Sequence, residues 1–153
     1  MSTSAAQNTA REMGRARVML ELEGRGWAVR TGQIGQRPVL HAERDGVRRT
    51  ILMSAKRSGT WQTSTAYGAE QAPEETRGRL WVFVDLGRPA SEFFIVPVDW
   101  MVEDIWQVHQ QYLKQHGGQR KVTRKSTHHK IELARIEDWR DRWDLLDGAS
   151  AER

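Results

Sequence analysis

Lys56 is the first residue whose setting suggests chemistry. It stands in Ser54-Ala55-Lys56-Arg57-Ser58-Gly59, where an apolar stretch from Val47 gives way to a polar one. An amine at the end of a strand can contact a phosphate, or simply reach into solvent. Lys56 and Arg57 are therefore candidate phosphate contacts. Beside them Trp61, Gln62, Thr63, Ser64, Thr65 and Tyr67 form a polar-aromatic segment. Rings of this kind stack on unpaired bases, and amides and hydroxyls reach phosphate or base edges. Trp61 and Gln62 join the candidates on that ground. The competing reading folds Trp61 back onto the sheet as a lid.

A second signal is the run from Lys114 to Lys130, with six Lys/Arg residues, three histidines and no acid. Such a run can neutralise several phosphates and release their counterions, which makes binding salt-dependent. Arg120, Lys121, Arg124, Lys125 and Lys130 are its candidate contacts; a solvated loop is the competing reading. His128 and His129 are adjacent, and neighbours on a strand point to opposite faces, so a shared metal ion is not expected. No phosphate-binding glycine loop, nucleophile elbow or zinc spacing occurs.

The elements that must position these residues follow from periodicity and punctuation. The strongest are Leu80 to Leu86 and Phe93 to Val98, nearly continuous apolar runs broken by Gly87, Arg88 and Pro89. They read as central strands covered on both faces, with helices expected over them. A helix is expected from about Thr9 to Glu23, without one clean apolar stripe, and Gly24 to Gly26 end it. Strands follow at Trp27 to Arg30, Val39 to Arg44 and Val47 to Lys56, the last two joined by the Asp45-Gly46 turn. Residues 31–38 and 57–78 are expected as loops. A helix capped by Asp99 runs to about His116, with Met101, Ile105, Val108, Tyr112 and Leu113 on one face. A last helix is expected from Arg135 to Leu146, presenting Ile136, Trp139, Trp143 and Leu146.

Bulk properties bound the class. The 153 residues suit one domain, read as 9–147 between an N-terminal tail (1–8) and a C-terminal tail (148–153). The absence of cysteine excludes disulfides and cysteine-ligated zinc. No apolar run approaches the roughly 20 residues needed to span a membrane. The N-terminal segment lacks the pattern of a signal peptide, so the cytoplasm is the expected compartment. A net charge of +4 favours anionic partners mildly. The expected fold is α/β, a central mixed sheet of about five strands flanked by helices.

The order helix, strand, hairpin, loop, two strands, helix resembles the PD-(D/E)xK nuclease-like superfamily. The segments GRGWAV, ERDGVRRTILMSAKRS, WVFVDL and FFIVPV carry the likeness, which extends over about Met13 to Leu146. The resemblance implies a restriction-endonuclease-like sheet. Its chemistry implies a strand carboxylate and a second carboxylate or glutamine two residues before a lysine, together holding magnesium. Lys56 matches that lysine, but Ser54 stands two residues before it, Val39 falls near the strand aspartate, and Arg15 falls near a first-helix glutamate. Displaced acids are conceivable: Glu12, Glu43 or Asp85. Val39, His41 and Glu43 share a strand face, so His41 and Glu43 could approach Lys56 across the hairpin. Lys56 and Glu43 are thus the candidate catalytic pair.

The leading expectation is a nucleic-acid-binding protein on a nuclease-like fold with a lapsed catalytic centre. It would take DNA rather than RNA, need no cofactor and stay off membranes, in a bacterial defence, repair or mobile-element setting. Two alternatives stand beside it. One is an active magnesium-dependent endonuclease with a rearranged site. The other is an interaction or assembly module whose partner is another protein or a second copy of the chain.

Overall fold

The computed structural model describes residues 3–64, 67, 76–115 and 128–148. Helix α1, Thr3–Gly24, begins inside the stretch expected as a tail. Its buried residues Ala10, Gly14, Val18 and Leu22 recur every four positions, so one narrow stripe meets the sheet. That stripe escapes a search for large apolar residues because its first members are small. A Cβ on Gly14 would lie 2.6 Å from the Cβ of Ala55, so glycine permits the close helix–sheet approach.

Five strands form the main sheet in the order β1-β2-β3-β5-β6. They are β1 (Ala28–Ile34), β2 (Arg37–Arg44), β3 (Val47–Lys56), β5 (Leu80–Asp85) and β6 (Glu92–Pro97). The pairs β1–β2, β2–β3 and β5–β6 are antiparallel, whereas β3–β5 is parallel. The sheet is therefore mixed, as expected. Residues 31–38, expected as a loop, are instead the ends of β1 and β2 around a two-residue turn at Gly35-Gln36. Gly35 takes φ 60°, which the tight turn needs and glycine tolerates.

A parallel pair needs a crossover, and residues 57–79 supply it. This stretch, expected as one long loop, contains β4 (Trp61–Ser64), which pairs antiparallel with β7 (His128–Ile131). The alternation of side chains separates the two faces of the main sheet. Ala55 and Val84 face α1. Phe83 and Phe94 face the other way and meet Trp61, at ring distances of 5.6 and 5.7 Å. The expected helical cover is present in α1, and the β4–β7 ribbon covers the opposite face of the central strands. All of β5 is buried, so its run of apolar residues reflects cover on both sides.

Helix α2, Val98–Gln115, starts one residue before Asp99, whose Oδ1 accepts from the Trp100 amide at 2.9 Å. Its deeply buried residues are Val98, Met101, Val102 and Ile105; Val108, Tyr112 and Leu113 are half-exposed. The expected last helix is broken into α3 (Leu133–Ile136) and two 3-10 turns, Glu137–Trp139 and Trp143–Asp147. The break has a tertiary cause. Arg140 is extended and bridges Phe94, and the Asp141 amide donates to the Phe93 carbonyl at 2.9 Å. This segment lies along the outer edge of β6, and Asp141 takes φ 55° as the chain turns away.

Candidate functional site

Lys56 and Asp85 occupy matching positions at the ends of β3 and β5. In parallel register paired residues share a face, so amine and carboxylate meet. Lys56 Nζ lies 3.3 Å from Asp85 Oδ2, and only 12% and 7% of the two side chains are exposed. The amine also sits 4.7 Å from the centre of the Trp61 ring, a cation–π position. Trp61 is fully buried and its indole N–H donates to the Val84 carbonyl at 3.0 Å.

The Asp85 carboxylate is held from several sides. Its Oδ1 accepts from the Gly87 amide at 2.9 Å, and the exposed Arg88 guanidinium lies 3.8 Å from Oδ2. The backbone closes the same corner: the Leu86 amide donates to the Lys56 carbonyl at 2.7 Å. A Cβ on Gly87 would lie 2.1 Å from the Arg57 carbonyl oxygen, so this turn has room only for glycine. Ser54 accepts from the Trp81 indole at 3.0 Å. The serine that stands where a metal-binding residue was sought thus satisfies a buried tryptophan. To reach a phosphate the Lys56 amine would have to leave Asp85 and Trp61.

Glu43 lies elsewhere. It sits opposite Arg48 in the β2–β3 ladder, 3.2 Å from that guanidinium, and both are exposed. Lys56 is eight residues further along β3, about 26 Å at the usual rise per residue. The expected approach of Glu43 to Lys56 is therefore corrected: Glu43 lies beside the start of β3 and Lys56 at its far end. His41 does not reach Lys56 either. It lies opposite Thr50, six residues before Lys56 on β3, and its ring packs against Gly32. Among the described residues no cluster of three or more His, Asp or Glu could hold a metal ion.

The remaining candidates divide. Trp61 as a base-stacking ring is corrected, because its ring is sealed between the sheet and the Lys56 amine. The lid reading is the one the geometry bears. Arg57 is exposed, its guanidinium resting on the Met13 sulfur. Gln62 and Lys130 are directly opposite each other in the β4–β7 ladder, and both are exposed. The neighbouring pair, Trp61 and Ile131, is buried. The ribbon thus turns Trp61 and Ile131 toward the core and sets an amide and an ammonium side by side toward solvent. Arg120, Lys121, Arg124 and Lys125 lie outside the described residues.

One built feature has no signature in the sequence. The Arg37 guanidinium lies 4.6 Å from the Tyr67 ring centre and 4.7 Å from that of Trp81, and it donates to the Tyr67 hydroxyl. Its partners are far away in the chain, so no local spacing could announce it. Among the described residues no helix is long and apolar enough to cross a membrane. No protein-family model, curated protein or solved structure matches this chain.

Proposed function

We propose that this protein binds nucleic acid through the exposed side of its β4–β7 ribbon, on a nuclease-like scaffold that has lost catalysis. The observation that carries the reading is the exposed cross-strand pair of Gln62 and Lys130, since the Lys56 amine is already held by Asp85. An ammonium contacts phosphate, and an adjacent amide donates to phosphate or a base edge. Arg57 lies in the same crossover and adds an exposed cation. The basic stretch from Arg120 to Lys125 precedes β7 directly in the chain. α1 lies across β3 in the mixed sheet, an arrangement that the nuclease-like reading requires. A single carboxylate, Asp85, within reach of Lys56 among the described residues favours binding without cutting. DNA is the favoured ligand, in an intracellular setting.

The test is binding to single- and double-stranded DNA and to RNA over a range of salt. The logarithm of the association constant is expected to fall linearly with the logarithm of salt concentration. Lys130→Gln should reduce that slope by roughly one phosphate contact. Binding without a salt slope would remove the phosphate reading. Cutting that needs magnesium or manganese and disappears in Lys56→Ala would replace it with the active nuclease.

A further inference from the structure

The two edges of the main sheet are treated differently. The outer edge of β6 is occupied by the segment around Arg140, with a bridge to Phe94 and an amide bond to Phe93. A further ion pair, Arg140 to Glu92 at 2.7 Å, fastens it. The outer edge of β1 has no such cover among the described residues, since β1 pairs with β2 alone. Ala28, Arg30, Thr31, Gln33 and Ile34 are all exposed. Natural edge strands are usually blunted by proline, lysine, bulges or brevity. β1 has seven residues, AVRTGQI, with no proline or lysine and an unbroken register against β2. Its single charge is Arg30.

The directions of the free backbone groups follow from the turn. Across a two-residue hairpin the flanking residues, Ile34 and Arg37, exchange both backbone bonds. Gly32, Arg30 and Ala28 then also bond toward β2. The amides and carbonyls of Val29, Thr31 and Gln33 point outward.

We infer that β1 pairs with β1 of a second copy of this chain, antiparallel and centred on Thr31, making one continuous sheet across a two-fold axis. That is the register in which all seven residues of the two strands overlap. Thr31 faces Thr31, Val29 faces Gln33, and every outward-pointing backbone group finds a partner. Arg30 falls opposite Gly32, so the only charges on the strand do not meet. Shifting the two strands by two residues would set Arg30 against Arg30, and like charges directly opposite are destabilising. Ala28 falls opposite Ile34, which covers an exposed apolar residue, 38% exposed in the single chain. An isologous contact of this kind closes on itself and does not propagate. The inference is independent of nucleic-acid binding.

The absence of cysteine makes the test clean. Sedimentation equilibrium of the full chain should show the 17.6 kDa mass doubling with concentration. Thr31→Lys places two ammonium groups at the axis and should abolish the dimer, while near-ultraviolet dichroism of the buried tryptophans stays unchanged. Thr31→Cys should cross-link to itself under oxidation, because hydrogen-bonded antiparallel pairs hold their Cα atoms about 5.5 Å apart, within disulfide reach. Leu20→Cys, on the exposed side of α1, should cross-link far more slowly. A monomer at every concentration overturns the inference. So does a dimer that survives Thr31→Lys, or a Thr31→Cys chain that cross-links no faster than Leu20→Cys; either places the contact elsewhere or with a different protein.

Discussion

The closed end of the β3–β5 pair and the turn end of the β2–β3 hairpin use charge in opposite ways. At the closed end the ion pair Lys56–Asp85 is nearly excluded from water and carries a tryptophan over it. At the turn end Glu43 and Arg48 pair at a similar distance, yet both side chains are more than half exposed. Two charges buried together lose most of their hydration, so neither can be removed alone without large cost. Two exposed charges exchange one set of water contacts for another and contribute little. The residue that looked most reactive thus belongs to the part of the molecule least able to release it.

The comparison can be broken most sharply at Asp85. Asp85→Ala should lose about 3–5 kcal/mol in urea unfolding, because the Lys56 amine is left buried and unpaired. Replacing both members, Lys56→Met with Asp85→Leu, should recover most of that loss. A cost for Asp85→Ala below about 1 kcal/mol would mean that water reaches the amine and that this end of the β3–β5 pair is not closed.

A smaller effect is expected where α1 meets β3. Gly14→Val must push the helix away from Ala55 and should cost about 1–3 kcal/mol. Ala55→Gly should return part of it, since that removes the atom nearest the new side chain. Unchanged melting of Gly14→Val would show that the helix slides freely over the sheet.

At the turn end of the β2–β3 hairpin Glu43→Ala and Arg48→Ala should each change stability by less than about 1 kcal/mol. A double-mutant cycle on this pair gives the contrast with Lys56–Asp85 directly. A coupling as large as that of Lys56–Asp85 would abolish the distinction between the two ends.

The smallest effect concerns the C-terminal turn. Hydrogen bonds from Arg142 hold the Asp144 carboxyl below its ordinary range, against a weaker opposing effect of burial. A depressed carboxyl stabilises the fold above its unfolded-state pKa and loses that contribution as pH falls through the folded value. Asp144→Asn should therefore slightly reduce stability near neutrality and make no difference in strong acid, as read from thermal unfolding across pH. A larger difference in acid than near neutrality would reverse the assigned sign.

Much of the fold could be read locally. The limits of β3 were legible because Asp45-Gly46 and the polar Arg57-Ser58-Gly59 bracket it. The unbroken apolar run of β5 announced cover on both faces. The turn at Gly35-Gln36 was hidden by a polar composition that resembles a loop, although both flanking segments are strands. β4 was hidden for a similar reason: its partner β7 lies far along the chain, and only the pairing makes it a strand. The expected C-terminal helix has helical spacing of its tryptophans, but the edge of β6 draws Arg140 into an extended bridge. Tertiary contact there overrode a local preference of a few tenths of a kcal/mol per residue.

The candidate site was less legible than the fold. Glu43 and Lys56 looked close because both belong to a hairpin, but antiparallel strands place residues far from the turn beside different neighbours. Register alone separates them. Gln62 and Lys130 stood out only as members of polar and basic stretches, and their adjacency appears once β4 and β7 are paired.

Side-chain periodicity and turn residues, acting over a few positions, determined by themselves where most strands and the two long helices lie. They also determined that the chain carries excess positive charge and no thiol. Tertiary structure alone decided that Lys56 is paired with Asp85, that Trp61 is a lid, and that among the described residues one sheet edge is covered and the other is not. Burial and ion pairing depend on registers between segments distant in the chain, and those registers are set only when the whole core packs.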